Sequence, residues 1–159
     1  MNDPFAAPRL VHRGGFPQLP PDFATGVSPK VFDRLSVYSP YALAALRIMT
    51  ALLFIAHGTQ KLFSFPAPFP YLGEDGSLPT LPLIAGILEV FGGLLVLVGF
   101  MTRPVAFVLS GLMAVAYFMA HAPSNFYPLL NGGDAAVLFC FVFFYLVFAG
   151  PGALAIDKR

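Results

Sequence analysis

Apolar residues in this chain come in long uninterrupted runs rather than in the alternating or stripe-like patterns of water-soluble strands and helices. Four such runs occur, at about 41–63, 81–101, 104–121 and 133–149. Each approaches or reaches the roughly 20 residues that a helix rising 1.5 Å per residue needs to cross about 30 Å of hydrocarbon. The fourth is the shortest, but AAVLFCFVFFYLVFA is continuous and uncharged after Asp134. Helix is predicted over strand because an isolated strand leaves its backbone groups unpaired in lipid. The breaks are rich in turn formers: FPAPFPYLGEDGSLPT reads as a Pro-rich loop, Thr102-Arg103-Pro104 as a tight turn with Pro at a helix start, Pro123 to Gly133 as a polar loop, and Gly150-Pro151-Gly152 as the stop of the last helix. The expected fold is all-α, a transmembrane four-helix bundle (residues 41–159) preceded by an irregular Pro- and Gly-rich tail (residues 1–40).

Composition agrees, with 57% hydrophobic and 11% charged residues among 159, where a soluble domain carries about 25% charged. The net charge of +1 and the scattered Lys and Arg give no reason to expect nucleic acid. Cys140 is the one cysteine, which excludes an internal disulfide or a self-contained two-thiol relay. The N-terminus lacks the basic, apolar and small-residue succession of a signal peptide, so the first run is expected to be retained as a span. With four spans, Arg9, Arg13, Lys30, Arg34, Arg103, Lys158 and Arg159 fall on one side of the membrane and Lys61 on the other. The positive-inside rule then puts both termini in the cytoplasm. Arg47, a couple of turns inside the first span, is expected to snorkel back to that interface as an anchor.

Ionisable residues inside spans are costly and each asks for a partner or a use. Counting along the helices puts His57 and Lys61 near the outer end of the first span, Glu89 about a dozen ångströms below the outer end of the second, His121 at the outer end of the third and Asp134 at the start of the fourth. Every helix thus sends a titratable group to the outer half. Side chains lean toward their helix N-terminus, so Lys61 and His57 lean inward while Glu89, on an antiparallel helix, leans outward to meet them. Gly86, Gly92 and Gly93 leave room for a close neighbour and turn Glu89 toward protein. Two uses stay open: a cluster that holds the bundle in register, or a ligand, proton or quinone site. His57 and His121 carry no metal-binding spacing, and no metal is expected. Tyr117, Phe118, Phe126 and Tyr127 serve as interfacial anchors or as a stacking surface, and Asn125 and Asn131 as turn formers or ligand contacts.

Taken in order, Arg47, His57-Gly58-Thr59-Gln60-Lys61, Gly86-Ile87-Leu88-Glu89 with Gly92-Gly93, Thr102-Arg103, Asn131-Gly132-Gly133-Asp134 and Gly150-Pro151-Gly152 resemble the DoxX family of small bacterial membrane proteins. The resemblance covers about Tyr41 to Asp157. The tail before Pro40 lies outside the pattern, the first loop is longer than a minimal member needs, and Asp134 stands where the family often has Glu. The resemblance implies a multi-pass protein of the bacterial inner membrane, surrounded by lipid and associated with other membrane subunits in quinone-linked redox chemistry. In that reading Glu89 and His57 are the catalytic, proton-exchanging residues, and Lys61, His121, Asn125 and Asp134 contact the quinone. No flavin, nucleotide or disulfide centre is expected. The alternative is a non-catalytic assembly subunit of a larger complex, with the N-terminal tail as its docking segment.

Overall fold

A computed structural model of the chain describes residues 34–73 and 75–157. The tail expected over residues 1–40 falls mostly outside them. Residues 34–36, the only described part of the Met1–Ser36 unit, are helical, and everything below concerns the unit Val37–Arg159. Its described residues are helical with no strand. The helices are α1 (Ser39–Phe63), α2 (Thr80–Val98), α3 (Thr102–Ala116, continued by a π-helical turn Tyr117–His121) and α4 (Asp134–Ala149), with one short turn of helix at Pro128–Asn131 between α3 and α4. α1, α2 and the α3 stretch Thr102–His121 are long and apolar enough to span a bilayer, and α4 is apolar but shorter, at 16 residues.

The chain runs as two antiparallel hairpins. α1 lies along α2 and α3 along α4, with α2 also against α3, while α1 meets α4 more sparingly. Small residues set the α1–α2 seam. A Cβ on Gly58 would stand 2.7 Å from Val90, one on Gly86 3.0 Å from Leu62, and one on Gly93 2.7 Å from Ile55. In lipid, where burying apolar surface gains little, such close backbone approach is what holds two helices together. The core is built from Ala51 and Phe54 of α1, Val96 of α2, Ala106, Leu109 and Met113 of α3, and Phe143 and Leu146 of α4. Phe54 meets Phe139 and Phe143 edge-on, with centroids 5.2 and 4.8 Å away. Large side chains such as Phe91, Phe107, Phe141 and Phe148 point outward, as lipid-facing residues do.

At the end of the bundle where α1 and α3 begin, here called proximal, Arg47 does not snorkel. It is 0% exposed, and it donates to five main-chain carbonyls: Pro151 at 2.8 Å, Val96 at 2.7 Å, Leu97 at 2.6 Å, Ala153 at 3.3 Å and Leu154 at 2.7 Å. These are carbonyls at the end of α2, of which Val96 also accepts from the Gly99 amide, and the carbonyls of the strap that follows α4, whose remaining acceptor capacity water would otherwise have to satisfy. α2 ends on Gly99 at φ +69°, with the Gly99 amide on the Val96 carbonyl and the Phe100 amide on that of Leu95. A Cβ there would lie 2.5 Å from Ala155 and 2.8 Å from the Arg47 guanidinium, so glycine is needed for both conformation and space. The strap is pinned further by Ala153 N–H to Pro40, Ile156 N–H to Val98 and Asp157 N–H to Gly99.

α3 starts at Thr102, two residues before the expected Pro104, because Asp157 caps it. The carboxylate accepts from the Met101 and Thr102 amides at 2.9 and 2.8 Å. Arg103 in turn donates to Val147 and Phe148, the last carbonyls of α4.

Replacing Arg47 by Met keeps the bulk and strands the carbonyls, so detergent-solubilised protein should lose about 3 kcal/mol or more of stability. Arg47→Lys should recover only part, since a single ammonium cannot fork between α2 and the strap; melts followed by circular dichroism check both. The Thr102 amide, then that of Met101, hold the Asp157 carboxyl below the usual carboxylate range, with the Arg47 charge adding to them. A lowered folded-state pKa contributes stability above the ordinary carboxylate pKa and loses it as pH falls through the lower folded value. The melting temperature of the native chain should therefore drop more steeply below about pH 4 than that of Asp157→Asn.

Candidate functional site

At the opposite, distal end, Lys61 stands near the end of α1 and Glu89 midway along α2. The α1–α2 seam puts Gly58 against Glu89 and Val90, and Lys61 against Gly86. Lys61 folds back and Glu89 reaches forward, so that Lys61 Nζ lies 2.5 Å from Glu89 Oε2. The carboxylate side chain is 3% exposed and the ammonium 18%. Glu89 is thus enclosed between two helices, with Lys61 at the one edge that opens outward. An ion pair of this kind is strongly coupled in a low-dielectric surround, and removing either partner leaves a charge in hydrocarbon.

His57 sits one turn before Lys61 on α1 but takes no part in that bond. Its ring is exposed and stands edge-on to Phe139 of α4, with centroids 5.6 Å apart and planes at 87°. His57 therefore occupies the outer surface of the α1–α4 junction, adjacent to the ion pair and not inside it.

The other predicted residues form a separate group between α3 and α4. The Tyr117 hydroxyl donates to the Phe126 carbonyl. Asn131 donates through Nδ2 to the Asn125 carbonyl at 2.5 Å and to the Tyr117 hydroxyl at 3.4 Å, and its Oδ1 accepts the Gly133 amide at 2.7 Å. His121 Nδ1 lies 3.1 Å from the Asn131 carbonyl, and since a carbonyl only accepts, that nitrogen carries the proton. Asn125 Oδ1 accepts the Tyr127 amide at 2.9 Å, the turn-forming role of the two expected for it. Asp134 is exposed in the first turn of α4, where a carboxylate suits the helix N-terminus. So the outer layer is two constellations: Lys61–Glu89 with His57 beside it, and a loop network holding His121, Asn125 and Asn131. Among the described residues no group of three or more His, Cys, Asp or Glu could hold a metal ion.

Residues 42–122, the stretch that carries α1, the ion pair, α2 and α3, match the family described as DoxX. The chain belongs to the DoxX family. Relatives extend the match beyond that stretch. An uncharacterized protein of Haemophilus influenzae is 43% identical over 132 residues, covering 80% of this chain and 96% of that one. The Escherichia coli inner membrane proteins YphA and YqjF are 30% identical over 132 residues and 33% over 126, covering 76% and 70% of this chain and 91% and 86% of theirs. No solved structure matches the chain. It is an integral membrane protein, and the proximal features of this DoxX protein, the Arg47 cage and the Asp157 cap, are ones that sequence reading missed. Arg47 was visible as a charge inside a span, but its partners are main-chain carbonyls, which leave no residue-type signal.

Removing the Glu89 carboxylate alone, as Glu89→Ala, should cost about 3–5 kcal/mol because the Lys61 ammonium is left unpaired. The double replacement Lys61→Met with Glu89→Leu should cost less than the sum of Lys61→Met and Glu89→Leu taken singly, and denaturation of the four proteins in one detergent measures the coupling.

Proposed function

We propose that this protein is an inner-membrane subunit linked to quinone redox chemistry, with His57, Lys61 and Glu89 as its working residues. The observation that carries the reading is a titratable side chain exposed on the lipid-facing surface of a span, one helical turn from a buried ion pair. An exposed imidazole within a membrane helix is costly unless something polar in the bilayer uses it. A quinone is a flat apolar ring with two acceptor oxygens, soluble in lipid. It fits a surface that offers an aromatic wall, Phe139, a ring nitrogen, His57, and a partly exposed ammonium, Lys61.

The quinone, when bound, supplies two-electron, two-proton chemistry. The chain's own residues orient the ring and handle the protons. His57 donates to or accepts from the nearer oxygen, Lys61 contacts it electrostatically, and Glu89 is the enclosed carboxylate that holds a proton when Lys61 turns to the ligand. The distal end faces away from the cytoplasm in this reading, supported by the excess of Lys and Arg at the other end. Electrons pass to or from a partner subunit, and His121, Asn125 and Asp134 contribute only by shaping the distal loops.

A second reading, a non-catalytic assembly subunit, is favoured by one observation. Lys61 and Glu89 satisfy each other across α1 and α2 and would fix those helices with no ligand at all.

The deciding measurement is binding of decylubiquinone to the protein in lipid nanodiscs. The quinone reading expects saturable binding, weakened about tenfold or more by His57→Ala and by Glu89→Gln. Equal binding by all three proteins, or none by the native chain, would sink it. Gentle extraction that brings down a stoichiometric larger complex without quinone would favour the assembly reading.

A further inference from the structure

α4 is too short for its task. Its 16 residues rise about 24 Å, against about 30 Å of hydrocarbon, while α3 with its π turn runs 20 residues, Thr102–His121. The register between them shows where the deficit lies. Arg103 meets Val147, Ser110 meets Cys140, and Tyr117 stands against Gly133, so seven residues along α3 answer to seven along α4 at each step. α4 therefore begins level with Tyr117, and the last turn of α3 rises past it. The layer beside that turn is filled by the chain between them, residues 122–133.

This hook has the two properties that non-helical backbone needs within a membrane. Many of its polar groups are answered internally. The Tyr127, Leu130, Asn131 and Gly133 amides donate to Asn125 Oδ1, the Tyr127 carbonyl, the Tyr127 carbonyl again and Asn131 Oδ1, and the Asn125, Phe126 and Asn131 carbonyls accept from Asn131, Tyr117 and His121. Its outward side chains are apolar. Leu129 is 81% exposed, with Leu130, Phe126 and Tyr127 also open, and no Asp, Glu, Lys or Arg occurs between Arg103 and Asp134. In water, an outward face this apolar and free of charge is penalised. The α1–α2 loop differs in charge: it carries Asp75 at the surface, whose carboxylate accepts from the Ser77 amide and hydroxyl.

We infer that residues 122–133 form a re-entrant hook seated in the distal leaflet, with Phe126, Tyr127, Leu129 and Leu130 in contact with lipid, and that this hook completes the fourth crossing. In the segment expected from sequence to be a polar loop, Asn125 and Asn131 are turned toward its own backbone while Leu129 and Leu130 face outward.

The chain has no tryptophan, so a single introduced indole reports its own surroundings. Leu129→Trp and Leu130→Trp are placed in vesicles of phosphatidylethanolamine and phosphatidylglycerol, with Ser77→Trp as the aqueous reference. Emission from both hook positions is expected to be blue-shifted, to fall about twofold when the acyl chains are brominated near the headgroups, and to resist aqueous iodide. Emission as red and as iodide-sensitive as that of Ser77→Trp would overturn the inference. So would a blue-shifted indole that brominated lipid does not quench, because the hook would then be covered by protein, such as a second copy of the chain. Two exposed positions are read independently, so misfolding of one variant leaves the other decisive.

Discussion

A lipid bilayer offers no water to an unpaired peptide group, and the proximal end of this bundle is organised around that fact. α2 stops inside the structure, leaving carbonyls that no helix can satisfy, and the strap after α4 adds more. Arg47 answers both at once with a guanidinium whose five N–H groups suit several acceptors. The same residue joins the first helix to the last segment of the chain. Asp157 and Arg103 repeat the logic at the start of α3 and the end of α4. Three side chains thus close three helix ends, and the apolar helices between them need only fit together. Their fit comes from Gly58, Gly86 and Gly93, which bring α1 and α2 close enough for Glu89 to be covered completely.

How far this was legible in the sequence depends on what each residue binds. Runs of apolar residues announced the helices because span length is a property of the bilayer, not of the partner. The Lys61–Glu89 pair was legible because two opposite charges at compatible depths lean toward each other on antiparallel helices. Glu89 facing protein followed from the glycines around it. Arg47 was misread as a snorkelling anchor because its acceptors are carbonyls, which every residue carries. Asp157 was missed for a related reason: a cap supplied from 55 residues away has no local signature. The five groups of the expected outer cluster lie toward the distal end of the bundle but do not form one cluster. Counting along helices gives height in the membrane, but only packing says which neighbour a residue faces. Here α1 pairs with α2 and α3 with α4, so Lys61 and Glu89 meet in one hairpin while His121 and Asn131 meet in the other.

That division bears on what the polar layer does. The α3–α4 group is spent on shape: its side chains bond mostly to main-chain atoms, and those bonds fix the path of residues 122–133. The α1–α2 group bonds side chain to side chain, with one member, Lys61, partly open and an unbonded histidine one turn away. Groups that bind backbone hold a conformation and cannot let go without losing it, whereas in the ion pair one member, Lys61, is partly open to its surroundings. In the function proposed above, the first hairpin carries the working groups and the second contributes Phe139, edge-on to His57. The shortness of α4 belongs to the same arrangement. Because α4 begins a turn below the end of α3, the distal layer on that side is a folded hook instead of a helix. Its path is held by Tyr117 and Asn131, with a single turn of helix at Pro128–Asn131, and so the two halves of the layer are built differently within one four-helix frame.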